Sequence, residues 1–247
     1  MGKLLMVALV TTAAGASLWG WGRTATRAAR AGDIPVTLTI ALGLAVLVFL
    51  GGLLNVLHLA YALTLDLVAI AGLGLAGFQV QKGGGVKLVP PGRDTLLTLL
   101  PLLLAGWFLA SHLLPQSAYN VYDDLEKYFA HPVKMLANGT FGSNPLNSLG
   151  AEAMGGQAFL QSFVAAHLPL PYLGAFDAFF CALLCTALAG FAIKPRAWAV
   201  GAVLAQLALL AINPQVVNIA AVFSAVALTM TAMLLVAHPG TQRPEPS

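Results

Sequence analysis

The sequence predicts an all-α fold, a polytopic bundle of seven to eight transmembrane segments with an extracytoplasmic loop that carries short interfacial helices. Hydrophobic residue types make up 59% of the 247 residues and charged types only 9%, and the mean hydropathy is +0.84. A soluble domain carries about 25% charged residues, so this chain has too few charges to cover a water-facing surface. Apolar runs of the length needed to cross a bilayer also recur along the chain.

The first apolar segment covers residues 4–20. Lys3, the apolar run and a small-residue Ala-Gly-Ala sequence also fit a signal peptide. The stretch 21–33 that follows contains Arg23, Arg27 and Arg30, and a basic cytoplasmic loop after the segment favours a retained helix.

Residues 34–80 are almost wholly apolar and are long enough for two crossings. A turn near Gly51 and Gly52, or near Asn55, is expected to divide them. The next stretch, 81–94, combines three successive glycines with basic residues and prolines. The basic residues predict that it lies on the same side of the membrane as residues 21–33. The glycines lack the rest of a phosphate-binding P-loop, so a flexible loop is predicted.

Further spans are predicted at residues 95–114, 172–193, 197–212 and 216–237. Residues 157–168 leave the count open, since a crossing there gives eight spans and a re-entrant or interfacial segment gives seven. Residues 1–239 therefore form a single transmembrane domain with a polar outer loop at 115–156. The proline-rich tail, 240–247, is expected to be disordered.

The outer loop has the only long polar composition in the chain, and four of the nine acids lie between residues 123 and 152. Residues 123–137 have an apolar stripe with helical spacing and are expected to lie flat at the membrane surface. Pro132 interrupts this stretch, so two short helices fit as well as one. The adjacent Asp123 and Asp124 suit a divalent-cation site or a general base, or one of them simply caps the following helix.

The same loop resembles that of polytopic bacterial membrane proteins related to the GT-C-fold glycosyltransferases. The residues that carry the resemblance are Asp123-Asp124, Tyr128, His131-Pro132, Lys134-Met135-Leu136, Asn138-Gly139 and the Gly-Gly-Gln-Ala-Phe-Leu-Gln run at 155–161. In that family an acidic residue or pair lies in the first large outer loop. Here the loop follows the fourth hydrophobic segment, and family members are usually much longer.

The resemblance implies transfer of a sugar from a polyprenyl-phosphate carrier at the outer face of a bacterial cytoplasmic membrane, or descent from such an enzyme without its activity. Asp123 or Asp124 is then the candidate catalytic base and metal ligand, with a divalent cation as the candidate cofactor. His131 and Lys134 are candidates for contact with the carrier phosphate. Tyr128 and Glu126, on the same predicted helix, are further candidate substrate-binding residues.

A second function class, a small transport or accessory subunit of a membrane complex, rests on other ionisable residues. Asp66 and Asp177 each lie within an apolar run, and His58 lies about two helical turns before Asp66. Intramembrane acids usually face a cavity or a partner, so these three residues fit a proton or cation pathway. The alternative is that both acids reach the membrane interface from the ends of their segments.

The distribution of charge indicates which partners the chain has. The formal charge of +3 arises from basic residues in short connecting segments, which excludes a nucleic-acid partner. Membrane lipid and a membrane-protein partner are expected instead. Cys181 and Cys185, four residues apart in an apolar run, are predicted to be buried free thiols.

Overall fold

A computed structural model of the chain describes residues 2–30, 34–82, 129–142, 155–168, 170, 173, 176–189, 200 and 222–237. Within these ranges the chain forms only helices and the turns that join them. The seven α-helices are α1 (Gly2–Ala28), α2 (Val36–Val56), α3 (Ala62–Gln81), α4 (Ala130–Asn138), α5 (Gly156–His167), α6 (Ala182–Ala189) and α7 (Val222–Ala237). A π-helical segment, Phe176–Cys181, leads directly into α6.

Two of the described helices, α2 and α3, are long and apolar enough to cross a membrane. At 1.5 Å per residue, helices of 21 and 20 residues extend about 30 Å, which matches the hydrocarbon core of a bilayer. Residues 57–61 connect them, so the prediction of two crossings within residues 34–80 is confirmed at the level of helix length and composition. The turn follows Asn55, whereas Gly51 and Gly52 lie inside α2.

Helix α1 packs closely along both α2 and α3 because glycines lie at the crossing points. A Cβ atom on Gly43 of α2 would overlap the Leu18 carbonyl of α1, and one on Gly22 of α1 would overlap the Thr39 carbonyl of α2. Towards α3, a Cβ on Gly20 would overlap the carbonyl of Gly72. Small residues of this kind let helix backbones approach each other in membranes.

Two side-chain hydrogen bonds fix the register of α1 against α3. The Ser17 hydroxyl donates to the Ala69 carbonyl at 2.9 Å, and the Trp21 indole N–H donates to the Val68 carbonyl at 3.1 Å. Both bonds reach backbone carbonyls in the middle of α3. They therefore add polar contacts to a helix pair that otherwise meets through small and apolar residues.

The residue pairings define two ends of this three-helix group. Residues 18 and 22 of α1 face residues 43 and 39 of α2, so these helices are antiparallel. Residues 17 and 20 of α1 face residues 69–76 of α3, so that pair is parallel. Arg23, Arg27, Arg30 and Lys82 consequently lie at one end, here called the basic end, and residues 57–61 lie at the opposite end, called the turn end.

The expected loop at residues 21–33 begins later than predicted. Residues 21–28 continue α1, because Gly22 is buried against α2 and the Trp21 indole bonds to α3. Arg23 and Arg27 are therefore helical, and Arg27 lies in the last turn, where a cation is favoured by the helix dipole.

Helix α2 is the centre of the described core. Its buried residues Leu38, Ala41, Leu44 and Leu47 belong to one apolar cluster with residues of the other helices. That cluster includes Leu18 of α1, Leu65 of α3, Met135 of α4, Phe159 of α5, Leu184 of α6 and Ala227 of α7. All seven described α-helices thus contribute to the same apolar core.

Several predicted features lie outside the described residues. They are the span at 95–114, nearly all of the span at 197–212, most of the outer loop at 115–156, and the tail at 240–247. The predicted spans at 172–193 and 216–237 are helical where they are described, over 176–189 and 222–237. The full count of seven to eight spans stays a prediction.

The glycine contact between α1 and α2 predicts a difference between two Gly→Ala variants. Gly43→Ala introduces a methyl group into the Leu18 backbone, and we expect it to lower the free energy of unfolding by about 1–3 kcal/mol. Gly74→Ala on α3 is the matched control, because a Cβ there meets no atom within 4 Å. Unfolding by SDS in mixed micelles measures both variants, and equal stability of the two would contradict the proposed contact.

Candidate functional site

The sequence-predicted site residues divide into two sets. Asp123, Asp124, Glu126 and Tyr128 lie outside the described residues, so their catalytic, metal-binding and substrate-binding roles stay predictions. His131 and Lys134 are described, and both lie on α4. They are three residues apart and therefore neighbours on one helix face, and both side chains are partly buried.

Helix α4 begins and ends at residues whose chemistry explains its limits. It starts at Ala130, so Pro132 falls in the first turn, where its missing N–H breaks no helical hydrogen bond. Whether a second short helix precedes α4 stays a prediction, because residues 123–128 lie outside the described ranges. The helix ends at Gly139, which has a left-handed conformation (φ 73°) and donates its N–H to the Met135 carbonyl at 2.8 Å.

The segment after α4 is bonded to the turn end of the α2–α3 pair. The Ala60 N–H donates to the Gly139 carbonyl at 2.8 Å. The Asn55 side-chain oxygen accepts two hydrogen bonds, one from the Thr140 hydroxyl and one from the Phe141 N–H, each at 3.0 Å. Helix α4 is therefore fixed at the end of the helix group opposite the basic end.

An aromatic contact orients one of the two cationic candidates. The His131 ring lies against the Phe141 ring, with 5.1 Å between centroids and a tilt of 41°. Phe141 is buried, whereas His131 and Lys134 retain partial access to the surroundings. An imidazole and an ammonium group on one accessible face can donate to an anionic ligand such as a phosphate.

Helix α5 covers α4 at the turn end. The Ser162 hydroxyl contacts the Met135 sulfur at 3.4 Å and donates to the Ala158 carbonyl at 2.6 Å. The Phe159 ring lies where a Cβ on Gly51 would be. Gly155, which precedes α5, has φ 79° and abuts the Phe141 ring.

The length of α5 bears on the open question of residues 157–168. Twelve residues extend about 18 Å, which is short of the roughly 30 Å that a crossing requires. Its first residues lie near Asn55 and its last, His167, contacts Asp66 near the start of α3. Both ends of α5 are thus near the turn end, as in an interfacial or re-entrant helix.

Asp66 has a partner that the sequence did not indicate. Its carboxylate lies 2.7 Å from Nε2 of His167, and both side chains are partly exposed. The pair joins α3 to the end of α5 across 101 residues of sequence. Asp66 therefore lies close to a helix end and pairs with His167, whereas the sequence had suggested His58.

Asp177 is a buried helix cap. Its carboxylate oxygens accept hydrogen bonds from the backbone N–H groups of Phe223 at 3.1 Å and Ser224 at 2.7 Å. These donors belong to the first turn of α7, where backbone N–H groups have no partner within the helix and an anion is favoured. Only 9% of Asp177 is exposed, and the expectation that it reaches the membrane interface stays a prediction.

In the described part of the chain no hydrogen bond or ion pair joins Asp66 to Asp177, and the proton or cation pathway stays a prediction. Each carboxylate has a separate partner on a different helix. Cys181 and Cys185 lie after Asp177 and are free thiols, the first buried and the second partly buried, as predicted. Within the described ranges, no three His, Cys, Asp or Glu side chains are grouped to hold a metal ion.

Sequence reasoning missed the contribution of Asn55, Thr140 and Phe141. Asn55 was considered only as a turn marker, and Asn138-Gly139 as part of the family resemblance. One signal was available, since Asn55 is one of only two amides within the long apolar run 34–80, the other being Gln79 at its end. A buried amide requires hydrogen-bond partners, and the polar loop at 115–156 was a candidate source of those partners.

The cap on α7 predicts unequal effects of two substitutions at Asp177. Asp177→Ala removes both acceptors from the N–H groups of Phe223 and Ser224, and we expect a loss of about 1–3 kcal/mol in unfolding free energy. Asp177→Asn keeps one acceptor oxygen and should lose less. The exposed Thr229→Ala on α7 is the control for SDS-induced unfolding, and an Asp177→Ala variant as stable as that control would refute the cap.

Comparison with known protein families, with curated proteins and with solved structures finds no match for this chain.

Proposed function

We propose that this chain is an integral protein of a bacterial cytoplasmic membrane that binds a polyprenyl-phosphate-linked sugar at its outer face. It acts as a GT-C-like glycosyltransferase or as a non-catalytic relative of one. The observation that carries the proposal is the position of α4, with His131 and Lys134 on one partly accessible face, at the turn end of the α2–α3 pair.

The exposed surface of α3 supports a lipid environment. Leu63, Leu67 and Ile70 are exposed by 70%, 55% and 61% of their areas, and they recur at helical spacing along one side of α3. A continuous apolar face of this kind is unfavourable in water. Lipid acyl chains cover it without cost, which agrees with the low charge content of the whole chain.

The separation of the two ends supports an outer location for the candidate site. Arg23, Arg27, Arg30 and Lys82 lie at the basic end, and basic residues near membrane segments favour the cytoplasmic side. Helix α4 is bonded to the opposite end through Asn55 and Ala60. If the basic end is cytoplasmic, His131 and Lys134 face outward, as a carrier-dependent glycosyltransferase of this kind requires.

The proposed reaction uses the two sets of residues in different roles. His131 and Lys134 bind the carrier phosphate by charge-assisted hydrogen bonds. Asp123 or Asp124 accepts the proton of the acceptor hydroxyl as its oxygen bonds to the anomeric carbon of the sugar. The sugar–phosphate bond breaks, and the carrier phosphate leaves with the electron pair. A divalent cation held by the same carboxylates would stabilise that leaving group, and Glu126 and Tyr128 would contact the sugar.

The accessory-subunit alternative has less support. It required Asp66 and Asp177 to approach each other within the bundle, and their carboxylates instead bond to His167 and to the start of α7. A membrane-protein partner remains compatible with the exposed apolar face of α3.

The phosphate-binding role predicts that substitutions at the site weaken lipid binding and that a substitution at the basic end does not. Lys134→Ala and His131→Ala should each weaken binding of a polyprenyl monophosphate to the protein in nanodiscs by about 10- to 150-fold, since a hydrogen bond to a charged group contributes about 1.5–3 kcal/mol. Lys82→Ala at the basic end is the matched control and should leave the affinity unchanged. Equal affinities of all three variants and the wild type would refute the proposal.

The catalytic role of the acids is tested separately. Asp123→Asn and Asp124→Asn should retain polyprenyl-phosphate binding, whereas at least one should lower sugar transfer by about 100-fold or more, as expected on loss of a general base. Transfer is followed as release of the carrier phosphate or as a glycan phenotype in cells that depend on the protein. Full transfer by both variants would leave a lipid-binding relative without this catalytic base.

A further inference from the structure

Asn55 is the only amide side chain in α2, and it lies in the last turn of that helix. It is 4% exposed, so its polar atoms are removed from water. Burial of an amide is unfavourable unless hydrogen bonds replace those to water. The two bonds that its Oδ1 accepts come from Thr140 and Phe141, 85 and 86 residues away in sequence.

Three chain segments converge on this one amide. The first is the end of α2, which carries Asn55 itself. The second is the segment after α4, where Gly139 has φ 73° and lies so close to the His58 carbonyl that a Cβ atom would overlap it. The third precedes α5, where a Cβ on Gly155 would lie 3.3 Å from Nδ2 of Asn55 and would overlap the Phe141 ring.

The hydrogen bonds to Asn55 also determine where Phe141 lies. The Phe141 N–H is one of the two donors, and the Thr140 hydroxyl, the other donor, accepts from the Gly142 N–H at 3.2 Å. The backbone on both sides of Phe141 is thereby fixed. Its buried ring then lies 5.1 Å from the His131 ring and restricts the side from which that imidazole is accessible.

We propose that Asn55 is a positioning residue for the phosphate site, acting on His131 through the Phe141 ring. This inference rests on the proposed function, since it assigns a role in the same site. Asn55 does not contact the ligand. It fixes Phe141, and the Phe141 ring is one of the contacts that orient the His131 imidazole towards the carrier phosphate. A preoriented donor binds more tightly because less side-chain freedom is lost on binding.

The experiment compares Asn55→Ala, Thr140→Val and Thr140→Ser by polyprenyl monophosphate affinity in nanodiscs. Asn55→Ala loses both hydrogen bonds and should weaken binding by about tenfold, whereas Thr140→Val loses one and should weaken it by about threefold. Thr140→Ser keeps the hydroxyl and should bind within about twofold of the wild type.

Asp177→Ala separates positioning from a general loss of stability. It removes a cap at the start of α7 and lowers the unfolding free energy while it leaves the hydrogen bonds of Asn55 and the Phe141–His131 contact in place, so it should bind like the wild type. NMR of the His131 ring adds a direct readout, because the ring-current shift from Phe141 should be lost in Asn55→Ala and retained in Asp177→Ala. Equal weakening of binding in these two variants, or an unchanged His131 signal in Asn55→Ala, would overturn the inference.

The two proposals fail in distinguishable ways. If His131→Ala and Lys134→Ala leave the affinity unchanged, the phosphate site is wrong and the inference fails with it. If those variants weaken binding and Asn55→Ala does not, the phosphate site stands and only the role of Asn55 is overturned.

Discussion

The close approach of α1 to α2 and α3 is the constraint from which the described arrangement follows. Gly22 and Gly43 bring α1 and α2 into backbone contact in an antiparallel sense, and Gly20 and Gly72 do the same for α1 and α3 in a parallel sense. Without strong hydrophobic driving force between helices in lipid, such packing and occasional hydrogen bonds determine which helices associate. Because the contacts fix direction as well as proximity, they collect the arginines of α1 and Lys82 at one end and leave the opposite end to the α2–α3 turn.

At the turn end, hydrogen bonds and an ion pair join segments that are distant in sequence. Asn55 closes the apolar helix α2 with a buried amide, and its hydrogen bonds attach a segment more than 80 residues distant. Helices α4 and α5 then cover the turn end, and the Asp66–His167 pair joins the far end of α5 to α3. The same contacts that attach α4 also orient His131, so fold and candidate site depend on a shared set of residues.

The sequence predicted the elements whose signals are local. Composition and apolar run length predicted α2 and α3, and the basic residues 23–30 and 82 were correctly expected on the same side. A helix was expected over residues 123–137, in one piece or in two, and its described part is α4, which has Pro132 in its first turn. Residues 21–28 were predicted as part of a loop, because Arg23, Arg27 and Arg30 are typical of a basic cytoplasmic loop. The contacts of Gly22 and Trp21 continue the helix through them instead.

Tertiary partners were beyond the reach of the sequence. Nothing local to Asp66 indicates His167, and nothing local to Asp177 indicates a free helix start at Val222. The role of Asn55 depends on Gly139 and Gly155 adopting left-handed conformations that let two segments approach it. Long-range hydrogen bonds of this kind depend on how the helices pack, and the local sequence pattern does not show that packing.

The most direct test of the central claim is the position of a bound carrier lipid. A polyprenyl monophosphate with a photoactivatable group next to the phosphate would be cross-linked to the protein in membranes, and the labelled peptides identified by mass spectrometry. The account predicts labelling within residues 129–142, beside His131 and Lys134. Labelling confined to the exposed face of α3, or to the basic end around Arg27 and Lys82, would contradict it.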